Sequence, residues 1–191
     1  MIELIEKLTF ISGNKHKFSE IQSYFKEAKL SIKLENQDFK MIEPQVDSIE
    51  SVADYKLNSI KEKIDGSYFI EDAGFFIDEL RGFPGVYSAY VNRTIGNQGI
   101  LRLMRNVKNR ASRFVSIIAL HIQDNPETFI FKGTVNGKVA NEIKGNLGFG
   151  FDPIFIPNEN PDYTFAEIST KKKNLISHRS RAVHNLIEFI K

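Results

Sequence analysis

The sequence predicts an α/β fold: a mixed sheet with flanking helices. Near the start, a β-favouring run breaks at a turn and opens into an amphipathic helix, the unit from which parallel sheets are built. In the middle, two β-rich runs are joined by Asp124-Asn125-Pro126, which suggests an antiparallel hairpin rather than another crossover. At the end, Ala182, Val183, Leu186, Ile187 and Ile190 are spaced for one buried helical stripe.

Leu8-Thr9-Phe10-Ile11 is the first strand, closed by the turn-forming Ser12-Gly13-Asn14. From Lys17 onward, Phe18, Ile21, Phe25 and Ala28 recur at spacings of three and four, with Lys26 and Lys29 near the helix end. Residues 31–34 alternate polar and apolar like a strand. Ile49, Val52, Ala53, Leu57, Ile60 and Ile64 then mark a second amphipathic helix ending near Gly66. Tyr68-Phe69-Ile70 is a short buried strand, with Glu71-Asp72 at its carboxyl end. Gly82-Phe83-Pro84-Gly85 is a turn, and 96–104 a short helix. The hairpin runs are 114–122 and 128–135, and 138–143 adds a further strand. No repeat, low-complexity segment or linker divides the chain, so 1–191 reads as a single domain, a size that buries a real core.

Composition removes several classes of function. A net charge of +2, from 26 basic and 24 acidic residues, is too balanced for a protein that wraps nucleic acid or coats a membrane. Without cysteine there is no thiol nucleophile, thiolate zinc site or disulfide framework, and the four histidines lack zinc-site spacing. No apolar run approaches the roughly 18 residues of a membrane span, so a cytoplasmic location is expected.

Four constellations can carry chemistry. Ser12-Gly13-Asn14-Lys15-His16-Lys17 ends a strand and opens a helix, so its backbone amides can cradle phosphate, with a lysine adding charge. The ordinary alternative is a strand-to-helix turn with Ser or Asn as the helix cap. Glu71-Asp72 and Glu43 offer hard oxygens suited to magnesium on a polyphosphate; the alternative is a solvated turn. Gly148-Phe149-Gly150-Phe151-Asp152-Pro153 lets a flat ligand approach the backbone and stack on aromatic faces for roughly 1–3 kcal/mol each. In that loop Asp152 is placed to accept hydrogen bonds from ring N–H groups; a kinked strand with core phenylalanines is the plainer reading in a chain with 16 of them. Lys171-Lys172-Lys173-Asn174-Leu175-Ile176-Ser177-His178-Arg179 leads into the last helix. There a cationic run can bind phosphate, and Arg179, which only donates, prefers an oxo to an amino group; a solvated basic stretch is the alternative.

Together these segments resemble the inosine triphosphate pyrophosphatase family, the Ham1 or RdgB-like proteins, nearly end to end. The resemblance rests on Ser12-Gly13-Asn14-x-x-Lys17-x-x-Glu20, Glu71-Asp72-x-Gly74, the segment from Gly82 through Ala89, Phe149-Gly150-Phe151-Asp152-Pro153, Thr164-Phe165-Ala166-Glu167 and Lys173-Asn174-x-x-Ser177-His178-Arg179. It implies an elongated mixed sheet, two lobes around a central cleft and a homodimer. The implied reaction is Mg²⁺-dependent hydrolysis of non-canonical purine nucleotides (ITP, dITP, XTP) to the monophosphate and pyrophosphate. By the same resemblance, residues 12–17 look like the triphosphate loop and Glu43 and Asp72 like magnesium ligands. Asp72 also looks like the base that activates water, with Glu71 assisting. Phe149, Gly150, Phe151, Asp152, Lys173, His178 and Arg179 look like the base and phosphate pocket, with His178 and Arg179 near the 6-oxo group. Ala73 stands where the family often has Ser or Thr and offers only its backbone to substrate, and Lys56 looks like the helical lysine that reaches the phosphates in relatives. A Maf-like pyrophosphatase for other nucleotides, a non-catalytic nucleotide-binding module and nucleic-acid binding through the Lys171 cluster are the rival readings.

Overall fold

Strand β1 (Lys7–Ile11) runs parallel to β2 (Lys33–Gln37), with Leu8 opposite Leu34, and parallel to β3 (Tyr68–Ile77), with Thr9 opposite Tyr68. From Leu8 to Ile11 β1 is buried, and Leu8 and Phe10 pack in one core with side chains of two helices, Lys15–Glu27 and His178–Ile190, which explains the unbroken apolar run read in the sequence. The computed structural model describes residues 5–191. Its mixed sheet is completed by β4 (Pro84–Gly85), β5 (Ala111–His121), β6 (Thr128–Val139) and β7 (Phe155–Pro157), in the order β2-β1-β3-β5-β6-β7 with β4 paired to β3. β4 on β3 and β7 on β6 are antiparallel. The helices are α1 (Lys15–Glu27), α2 (Ile49–Ser59), α3 (Ser88–Thr94), α4 (Gly96–Leu103), α5 (Thr170–Ile176) and α6 (His178–Ile190).

Three sequence expectations are corrected. Glu71-Asp72 does not close a short strand: β3 continues to Ile77, because Phe75 and Phe76 pair with Gly85 and Pro84 of β4. α2 ends at Ser59 rather than near Gly66. Turn hydrogen bonds such as Lys63 N–H to the Ile60 carbonyl (2.8 Å) carry the chain onward and keep Ile60 and Ile64 buried. The strand expected over 138–143 is absent as a separate element; Lys138 and Val139 are the end of β6. α3 lies where the sequence reading placed no element.

Contacts along the chain define two compact units. The first holds the described residues up to Asp72 with Ser116–Gly133 and Arg179–Lys191; the second holds Ala73–Val115 and Thr134–His178. The chain passes from one to the other within β3, β5 and β6 and at the start of α6. Each unit has its own core. In the first, Ile21, Tyr24 and Phe25 of α1 pack with Phe10, Phe69 and Ile118, and the ring of Phe10 stacks on Phe69 at 4.9 Å. In the second, Phe75 meets Phe114 at 4.9 Å and Phe151 at 5.3 Å, and Phe155 and Phe165 complete the aromatic cluster. Among the described residues, no helix is long and apolar enough to cross a membrane.

Candidate active site

In the first unit the turn after β1 is tied down by its own side chains. Asn14 caps α1: its Oδ1 accepts from the backbone N–H of His16 (3.0 Å) and Lys17 (3.2 Å), while Ser12 Oγ accepts from the Asn14 N–H at 3.2 Å. The loop amides at 14, 16 and 17 are thus satisfied internally, the capping arrangement set beside the phosphate cradle above. Gly13 lies against the Asp38 side chain, whose carboxylate would have to shift to admit a Cβ there. Lys15 and His16 are exposed.

Lys17 is drawn down onto β3. Its Nζ donates to the Glu71 carbonyl at 2.9 Å and lies 2.8 Å from Glu71 Oε2. Glu71 is buried; its Oε1 accepts from Ser116 Oγ at 2.6 Å and lies 3.2 Å from Arg179 Nε. Arg179 Nη1 also donates to Glu20 Oε2 at 2.5 Å. Burial opposes the charge on Glu71, but the attraction of Arg179 and Lys17 outweighs it and holds the carboxyl far below the usual carboxylate range. For Arg179 burial is again the opposing cause, outweighed by Glu71 and Glu20, so its affinity for the proton rises.

A lowered carboxyl pKa contributes stability that is fully present above the ordinary value of about 4.5 and is lost as pH falls through the folded value. The urea midpoint is therefore expected to decline steadily once pH drops below about 4.5. In Glu71→Gln the starting midpoint is lower and the acid slope shallower; an unchanged slope would show that Glu71 is not responsible.

Asp72 follows on the same strand. Its Oδ1 accepts from Lys56 Nζ at 2.9 Å, and the same ammonium donates to Glu43 Oε1 at 2.7 Å. Burial lowers the proton affinity of Lys56, but the two carboxylates reverse this and raise its pKa, so it is charged at neutral pH. Asp72 Oδ2 is buried and has no hydrogen-bond partner among the described residues. Those residues contain no group of three or more His, Cys, Asp or Glu able to hold a metal ion. Two carboxylates nevertheless suit Mg²⁺, which keeps several waters and binds through one or two protein carboxylates plus substrate phosphates. The orphaned hard oxygen of Asp72 fits such an ion.

The second unit holds the aromatic loop. Asp152 is buried; its Oδ2 accepts from the Phe149 N–H at 2.9 Å and from Lys173 Nζ at 2.7 Å. Gly148 has φ of +71°, and an added Cβ would lie 2.1 Å from the same carboxylate oxygen, so only glycine lets the loop wrap Asp152. Lys173, carried by α5, lies over the Phe149 ring at 4.8 Å and the Phe165 ring at 5.7 Å. The Gly150 carbonyl accepts from Asn97 Nδ2 at 3.1 Å. His178 is buried with its imidazole stacked on Phe114 at 4.6 Å.

The structure therefore groups Lys17, Glu43, Asp72 and Arg179 in the first unit with Ser12, Gly13 and Asn14, and Phe149, Gly150, Asp152, Lys173 and His178 in the second with Ala73 and Phe151. Two placements differ from expectation. Arg179, read as a donor for a 6-oxo group, is paired through Nη1 with Glu20 and through Nε with Glu71, two buried carboxylates that require a counter-charge. Phe151, read as part of a stacking loop, is a core side chain against Phe75, only 3% exposed. Sequence reasoning gave no role to Ser116, Asn97 or Phe114, whose residue types carry no signal until the strands and helices bring them alongside. Glu20 stood in the first motif, three residues after Lys17, but only its pairing with Arg179 reveals its use.

A family model described as the Ham1 family matches residues 8–189. The chain is 45% identical over 185 residues to a dITP/XTP pyrophosphatase of Thermococcus kodakarensis, covering 97% of each chain. It is also 45% identical over 184 residues to a dITP/XTP pyrophosphatase of Methanothermobacter marburgensis, covering 96% of this chain and 95% of that one. Among solved structures it is similar to the Ham1 protein of Staphylococcus aureus, with a TM-score of 0.82, 28% identity, and coverage of 96% of this chain and 97% of that one. A Mycobacterium abscessus structure titled nucleoside-triphosphatase / dITP/XTP pyrophosphatase has a TM-score of 0.74 at 26% identity, covering 97% of this chain and 100% of that one.

Proposed function

The chain belongs to the Ham1 family, and from that premise we propose that it hydrolyses non-canonical purine nucleoside triphosphates, dITP, ITP and XTP, to the monophosphate and pyrophosphate. The observation that carries this reading is the state of Asp72: one oxygen engaged by a buried lysine, the other buried without a hydrogen-bond partner among the described residues, beside a glutamate held anionic. Relatives named dITP/XTP pyrophosphatase support it along nearly the whole chain.

A triphosphate carries about four negative charges, and attack on phosphorus requires that charge to be offset while a water is held in line. Lys17 and Lys56 bring two ammonium groups to that task. Asp72 accepts the proton of the attacking water as its oxygen bonds to phosphorus and the bridging phosphorus–oxygen bond breaks, releasing pyrophosphate. Asp72 and Glu43 would hold Mg²⁺, whose charge when bound further offsets that of the phosphate oxygens. Glu71, fixed by Lys17, Ser116 and Arg179, holds the strand in place beneath Asp72. In the second unit, the Phe149 ring offers a stacking face for a purine, and Lys173 is held in position by Asp152. A homodimeric, cytoplasmic enzyme is part of the same proposal and rests on the family resemblance.

The test is a turnover panel of dITP, ITP, XTP, GTP, ATP and dTTP with Mg²⁺, scoring pyrophosphate and orthophosphate separately. Pyrophosphate from the first three, well above the others, is expected. Orthophosphate alone, or a preference for dTTP, would overturn the reading.

A further inference from the structure

We infer that Lys56 is a built-in counter-ion that a divalent cation must displace in order to bind Glu43 and Asp72. This inference rests on the reading that those two carboxylates hold the metal. The side chain of Lys56 is 7% exposed and rises from α2 between Val52, Ala53 and Leu57, all buried, so its ammonium has little water to turn to. A buried ammonium without partners is costly, so Lys56 needs the two carboxylates as much as they need it.

Its Nζ, 2.7 Å from Glu43 and 2.9 Å from Asp72, therefore satisfies both acids with one internal positive charge. A divalent cation attracted to the same oxygens meets that charge at close range, and the two repel. The acids are not equivalent. Asp72 sits inside β3 and cannot leave, whereas the Glu43 side chain is 74% exposed on a segment outside helix and strand and can swing. Asp72 Oδ2, with no hydrogen-bond partner among the described residues, is the oxygen an ion can take without breaking an existing bond, and Glu43 is the partner over which ion and lysine compete.

The consequence is coupling. The free protein holds metal weakly because the site already contains a cation. A polyphosphate offers Lys56 another anionic partner and so releases the carboxylates to the metal. By linkage, metal then favours nucleotide by the same factor.

The experiment is calorimetric titration of Mg²⁺ into wild type and Lys56→Met without nucleotide. The variant is expected to bind Mg²⁺ at least tenfold more tightly, and the gap to narrow when a non-hydrolysable triphosphate is present. Equal or weaker Mg²⁺ binding by the variant overturns the inference. Should Lys56→Met not fold, spectra of wild type labelled with ¹³C at lysine Cε decide the matter. The Lys56 signal moves on adding Mg²⁺ alone if the ion displaces it, and an unmoved signal overturns the inference. Pyrophosphate release from dITP by wild type, followed in parallel, separates the two failures. Activity with unchanged metal affinity sinks only the counter-ion role, while no release sinks the proposed function.

Discussion

Replacing Asp72 with Asn is expected to lower kcat for dITP by about 10²–10⁴-fold, the usual worth of a positioned proton acceptor. The substitution is nearly isosteric and keeps an oxygen for Lys56, so the loss falls on proton acceptance and on the anionic charge offered to metal, not on packing. In transition-state terms this is about 3–5 kcal/mol. Steady-state kinetics on dITP at saturating Mg²⁺ give the number, and circular dichroism verifies that the sheet is intact. A variant with kcat within about fivefold of wild type would remove Asp72 from the reaction, since general acid–base contributions are rarely that small.

Arg179→Met is expected to be the most destabilising single change in the first unit. Arg179 is 1% exposed and serves two carboxylates, Glu20 and Glu71. Removing one member of a buried ion network leaves uncompensated charge and costs about 3–5 kcal/mol, a large part of the roughly 5–15 kcal/mol that stabilises a typical domain. For a chain of this size that corresponds to a drop in Tm of about 6–20 °C. Urea unfolding of Arg179→Met alone and combined with Glu20→Gln checks the cause: the double variant recovers part of the loss if stranded charge is responsible. A cost under about 1 kcal/mol would show that the pairing of Arg179 with Glu20 and Glu71 contributes little to stability.

How much of this was legible beforehand depends on the range of the interaction. β1, α1, α4 and α6 are visible as apolar runs and three-four spacings because each is dictated by neighbours within a few residues. The Ser12–Lys17 turn, the acid pair and the glycine–phenylalanine loop are visible for the same reason, since each is a contiguous stretch with unusual chemistry. α3 escaped because its Ser88–Thr94 stretch shows no apolar stripe of its own; Ser88 Oγ instead accepts from the Phe75 N–H on β3 and donates to the Gly85 carbonyl.

What the site does with those stretches depends on partners far along the chain. Lys17 meets Glu71 across 54 positions, and Arg179 meets Glu20 across 159. An ionisable side chain has no fixed role until folding determines its distance to other charges and the water it loses, and both are properties of the packed chain. The order of residues therefore announced most of the elements, the family and the chemically active segments. Folding paired Arg179 with two acids, put Phe151 in the core, and placed Lys56 between Glu43 and Asp72, because burial makes each charge seek whatever counter-charge the sheet brings within reach.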